Sequence, residues 1–111
     1  MITVTFQYDA ESKDLSITVK GHAGQADAGQ DIVCASASIL VFTLAHFVQN
    51  MYELGDLVGE PTITLNEGDA SVICKCIDEE TFIEAFQTYS VIKLGCSILA
   101  SNYPQYVRLD A

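Results

Sequence analysis

Positive charge is what this chain has least of. Lys13, Lys20, Lys75, Lys93 and Arg108 stand against fifteen acids, for a formal net charge of −10. Such a surface repels phosphate backbones and anionic lipid headgroups, so direct nucleic-acid and membrane-surface binding are excluded first. It suits solubility, and it also suits a basic partner. Long apolar runs are missing too. The most apolar stretch, residues 32–47, is interrupted by Ser36, Ser38, Thr43 and His46 and reads as short for a bilayer. Met1 leads into a strand pattern with no basic segment or small-residue cleavage site, so no signal peptide is expected and the cytoplasm is the expected location. Metal-ligand spacing is lacking as well. Cys74 and Cys76 form C-x-C on an alternating strand, without a companion His or Cys. They and Cys96 are expected as reduced core thiols, and no metal or cofactor is expected.

The 111 residues suffice for a single domain, 1–111, with its own core. Residues 2–8 and 15–20 alternate apolar and polar, and pair as a hairpin across a polar turn. Residues 62–65 and 70–77 form a second hairpin around Asn66, Glu67, Gly68 and Asp69. Between the hairpins the spacing predicts a helix over 32–54, capped by Asp31 and stopped by Gly55. A second helix starts at Asp78, Glu79, Glu80 and Thr81 and ends near 100–102, carrying Phe82, Ile83, Phe86, Tyr89, Ile92, Cys96 and Leu99 as one stripe. Gly95 costs it a little stability. Residues 106–109 have the pattern of a short extended edge. The expected fold is α+β: a two-layer sandwich in ββαββα order, with a mainly antiparallel four-stranded sheet and both helices on one face. The first helix is apolar around more than one stripe, which predicts a second buried face and a homodimer.

Residues 21–31 hold three glycines, three alanines, two glutamines, two aspartates and His22, with no large apolar side chain. This reads as a flexible loop, longer than a tight strand-to-helix link. It carries His22 at its start and delivers Cys34 into the first turn of the helix, where backbone amides favour thiolate. A thiol and an imidazole on two rigid elements form a nucleophile and base pair. Asp31 orders the site as a cap or histidine partner, or opposes thiolate as a nearby anion; the spacing leaves both open. Ser38, one turn after Cys34, either lines a pocket or bonds its own helix. His46 falls in the apolar register of the helix and reads as a core or interface histidine. From spacing alone, a Cys/His enzyme and a non-catalytic interaction domain stand level. A thiol-redox protein is a third reading, poorly served by Cys74 and Cys76 as resolving cysteines.

The run GHAGQADAGQDIVCASASIL resembles the ribosomal-processing cysteine protease family Prp. Its pattern is met by Gly21, His22, Ala23, Gly29, Asp31, Ile32, Val33, Cys34, Ala35, Ser36 and Ser38, and the element order and the tail around residues 102–107 are also similar. The resemblance implies a cytoplasmic, homodimeric bacterial endopeptidase. It implies removal of the N-terminal extension of a large-subunit ribosomal protein, ribosomal protein L twenty-seven, after an aromatic pair. It implies Cys34 as nucleophile and His22 as base, Asp31 as an orienting or capping residue, and Gly21, Ala23, Gly29 and Ser38 as loop or pocket residues. A non-catalytic ribosome-associated interaction or assembly protein is the alternative.

Overall fold

The computed structural model describes residues 1–22 and 28–110, with the side chains of residues 28–31 outside the description. Strands β1 (Ile2–Asp9) and β2 (Asp14–Gly21) are followed by helix α1 (Ala28–Glu53). Strands β3 (Thr62–Asn66) and β4 (Asp69–Lys75), helix α2 (Glu79–Asn102) and strand β5 (Val107–Asp110) complete the order. The sheet has five strands in the order β3-β4-β2-β1-β5. Both hairpins are antiparallel, and β2 and β4 join them antiparallel at the centre.

Two expectations are corrected here. The short edge at the end of the chain is a full fifth strand, and it pairs parallel with β1, Ile2 opposite Val107 and Val4 opposite Leu109. The sheet is therefore mixed, because α2 carries the chain back across the helical layer and β5 runs in the direction of β1. The second correction concerns α1. Its segment Ile32–Glu53 is 22 residues long and holds an 18-residue window with a mean hydropathy of 1.9, long and apolar enough by length and composition to cross a bilayer, as the core helix of a soluble protein also can be. Two of its polar interruptions, Ser36 and Thr43, return their hydroxyls to the carbonyls of Ile32 and Ile39.

Alternation places the core. Ile2, Val4 and Phe6 of β1, Leu15 and Ile17 of β2, and Val72 and Cys74 of β4 are buried on one face. Their partners across the strands, such as Phe6 opposite Ile17 and Ile17 opposite Val72, build continuous apolar rows. The other face presents Thr3, Thr5, Ser16, Thr18 and Ser71. Both helices lie on the apolar face: α1 against β4 and α2, and α2 against β2 and β5. Helix α1 buries Val33, Ala37, Val41, Leu44, Val48 and Met51, one stripe at three- and four-residue spacing. Each large member contributes about 1.5–3 kcal/mol over exposure. His46 lies on the opposite side from that stripe and is exposed, so it is not a core residue. Gly55 (φ +81°) ends α1, with the amide of Asp56 bonded to the carbonyl of Met51 and that of Gly55 to Tyr52.

Helix α2 starts at Asp78, whose carboxylate accepts the amide of Thr81 at 2.8 Å. Its buried residues are Phe82, Ala85, Tyr89, Ile92, Cys96 and Leu99, close to the expected stripe, while Ile83 points outward. Gly95 faces α1, where an added Cβ would lie 2.7 Å from Cδ2 of Leu40, so the two helices cross closely at this point.

Candidate active site

Strand β2 delivers His22. Gly21, the last residue of β2, has φ +99°, and a side chain there would overlap the carbonyl oxygen of Met1. Only glycine makes that turn at that distance. The amide of Gly21 donates to the carbonyl of Gly68 at 3.0 Å, which carries the β2–β4 ladder one step beyond Lys20 and Asp69. The amino group of Met1 donates to the carbonyl of His22. The backbone beneath the imidazole is therefore tied on two sides.

Helix α1 delivers Cys34. Val33 and Ala37 bury into the core and fix the rotation of the helix, leaving Cys34 exposed on the flank of the stripe with Ser38 one turn further on. The helix begins at Ala28, earlier than expected. Asp31 is consequently not the cap; its backbone is already helical, as is that of Gly29, while its side chain lies outside the description. Cys34 sits in the second turn, where the amides are already committed to the i to i−4 ladder and the dipole has faded. The free amides of the first turn are thus not the neighbours of Cys34 that the expected helix start implied. The expected loop, residues 21–31, is shorter than read, since Gly21 ends β2 and residues 28–31 are helical; residues 23–27, Ala23 included, lie outside the described residues.

The structure brings His22, Cys34, Gly21 and Ser38 to one cleft of about 260 Å³. Val41 and Phe42 of α1 form one wall, and Ile2 and Val19 of the sheet form its base. The other wall was not anticipated: residues 65–70, the turn between β3 and β4 with its flanks, line the cleft opposite Cys34. In sequence that turn reads only as a hairpin connection. Its place in the site follows from the β2–β4 pairing, which joins residues about fifty positions apart. Glu67 and Asp69 make this rim acidic, and Asp69 is ion-paired to Lys20. Asn66 and Ser38 add neutral polar groups. Among the described residues no hydrogen bond joins Cys34 to His22, and the Ser38 hydroxyl makes none to its own helix.

The other thiols are elsewhere. Cys74, Cys76 and Cys96 are buried, as expected. Burial alone pushes the Cys96 thiol up to about 11. The neighbouring Cys76 side chain holds the Cys74 thiol below its ordinary value, and Cys74 in turn raises Cys76, with burial raising Cys76 further. The Tyr89 hydroxyl is raised, chiefly by burial; it donates to the carbonyl of Val72 at 3.2 Å and lies 3.6 Å from the Cys74 sulfur. None of the three thiols lines the cleft. Among the described residues no group of three or more His, Cys, Asp or Glu side chains is placed to hold a metal ion.

Comparison with known proteins agrees with this architecture. The family model described as cysteine protease Prp matches residues 1–108. The ribosomal processing cysteine protease Prp of Staphylococcus aureus is 24% identical over 110 residues, covering 99% of this chain and 98% of that protein. A crystal structure of a Streptococcus mutans protein has a TM-score of 0.68 at 26% identity, covering 99% of this chain and 92% of the other. The S. aureus protease in complex with a substrate peptide gives 0.68 at 22% identity, over 99% and 98% of the two chains. A second crystal structure of that enzyme, with a covalently linked product peptide, gives 0.68 at 23% identity over the same shares. With the family model matched along nearly its entire length, this chain belongs to the cysteine protease Prp family, whose curated relatives are ribosomal-processing proteases.

Proposed function

We propose that the protein is an endopeptidase that removes the N-terminal extension of ribosomal protein L twenty-seven, with Cys34 as nucleophile and His22 as its general base. The meeting of these two side chains at one cleft, from a strand end and a helix, carries the reading. Peptide as the substrate class is supported by the S. aureus relative, which was crystallised with a substrate peptide and with a covalently linked product peptide. A covalent product is what thiol chemistry leads one to expect.

The steps follow from the groups at the cleft. His22 takes the proton of Cys34, and the thiolate attacks the scissile carbonyl to form a tetrahedral adduct. Because the amide of Cys34 is committed to its helix, the donors assigned to the oxyanion are the Ser38 hydroxyl and the Asn66 side-chain amide. The adduct collapses to a thioester as His22 passes its proton to the leaving amine. His22 then deprotonates a water that hydrolyses the thioester and regenerates the thiol. The imidazole reaches Cys34 in the substrate complex, where catalytic hydrogen bonds commonly tighten. We assign the enzyme to the cytoplasm, as a homodimer formed through the outward apolar residues of its helices.

The test is cleavage of a peptide spanning the extension, with the cut located by mass spectrometry. The parent is expected to cut at one site, Cys34→Ala to abolish turnover, and His22→Ala to lower it about 10²–10⁴-fold. Equal behaviour of all three would overturn the assignment. Tight binding by the parent without cleavage would favour the interaction or assembly reading.

A further inference from the structure

We infer that Gly68, in the turn between β3 and β4, is the seat of the His22 imidazole and so a positioning residue for the base; this rests on the reading of His22 given above. The ring lies directly over Gly68. A Cβ built there would fall 2.5 Å from Cε1 and 3.3 Å from Cδ2 of His22, and nearer still to Nε2. Side-chain carbons do not come that close to other heavy atoms, so ring and Cβ exclude one another. The imidazole is the member that can yield, by rotating about its own side-chain bonds. The turn cannot, because the carbonyl of Gly68 holds the amide of Gly21 at 3.0 Å and Asp69 is paired in register and in charge with Lys20. Any residue but glycine at 68 therefore leaves the turn in place and turns the base out of its position.

Gly68 also has φ +75°, which by itself favours glycine. The fold contains a control that separates the two demands. Gly59 has φ +76°, with nothing within 4 Å of an added Cβ. The same substitution at 59 thus carries the backbone strain without the displaced ring. Asparagine tolerates this backbone region better than other side-chain-bearing residues while still presenting a Cβ.

The experiment compares Gly68→Asn and Gly68→Ala with Gly59→Asn and Gly59→Ala in the full chain. Folding is followed by circular dichroism, the two histidine Cε1–H signals by NMR with His22→Ala for assignment, and peptide cleavage by kcat and KM. The Gly68 variants are expected to fold, to move the His22 signal and its titration, and to lower kcat about a hundredfold or more with KM changed less than about threefold. Gly68→Asn added to His22→Ala is expected to cause little further loss, since both act through one group. The Gly59 variants are expected to leave both readouts unchanged. A Gly68→Asn protein with the parent His22 signal would overturn the proposal, as would parent kcat. So would Gly68 variants that fail to fold where the Gly59 variants succeed, because the turn would then serve the fold and not the base. If the parent cleaves nothing, the protease reading fails alone, and the His22 signal still decides the role of Gly68.

Discussion

At the scale of single residues, the chain separates one exposed thiol from three that are sealed. Cys34 stands on the flank of α1, while Cys74, Cys76 and Cys96 have almost no surface. Iodoacetamide on the native protein is expected to modify Cys34 alone, with the remaining three reacting only after unfolding in guanidinium; peptide mapping checks this. Tyr89 gives a second prediction. Its ring is fully buried, edge-on to Phe6 at 5.7 Å, and its hydroxyl donates to Val72. Tyr89→Phe keeps the packing and removes the donor, so a loss of about 1 kcal/mol is expected in urea unfolding. His22 and Cys34 were legible in the sequence because each has its own chemistry and sits beside glycines or an apolar helix. Gly68 was not, since a glycine in a hairpin turn already has a local explanation, and the imidazole above it arrives through long-range strand pairing.

At the scale of elements, helix starts show how local signals compete. Asp78 is a true cap: the Thr81 hydroxyl and amide both donate to its carboxylate and hold its pKa below the ordinary value. A carboxyl with a lowered folded pKa contributes its full stabilisation above the unfolded value and loses it as pH falls through the folded one. Asp78→Ala is therefore expected to lower Tm at neutral pH. The gap from the parent should narrow below the ordinary carboxylate range; thermal melts across pH 2–7 check it. Asp31 carried the same sequence signal, yet Ala28, Gly29 and Gln30 continue the helix past it. The alternation and the helical stripes were readable because each buries one face. Strand β5 was only glimpsed, because four residues carry little pattern and its partner lies at the other end of the chain. Gly95 has a reason that spacing could not give. Gly95→Ala is expected to stay within about 1 kcal/mol of the parent, since the gain in helix propensity offsets a displaced Leu40 end. Gly95→Val is expected to lose about 1–3 kcal/mol by forcing the helices apart, as denaturant titration would show.

At the scale of the whole molecule, the helical layer presents apolar side chains on its outer surface as well as its inner one. Ile32 and Ile39 of α1 and Val91, Leu94 and Ile98 of α2 are each more than half exposed. Singly these would be unremarked; on two adjacent helices they fit the proposed dimer. Ile39→Asp with Leu94→Asp is expected to yield a monomer by light scattering, with circular dichroism unchanged, because neither side chain is buried in the core. The first and last strands are direct neighbours, with the amide of Ile2 bonded to the carbonyl of Tyr106 at 2.7 Å. That closure has a bearing on timing. Ile2 underlies the cleft, and β1 gains its second neighbour only when β5 has been made. During synthesis an unfinished chain thus carries both Cys34 and His22 on an incomplete sheet, and the base of the cleft gains its full support only when the final strand docks.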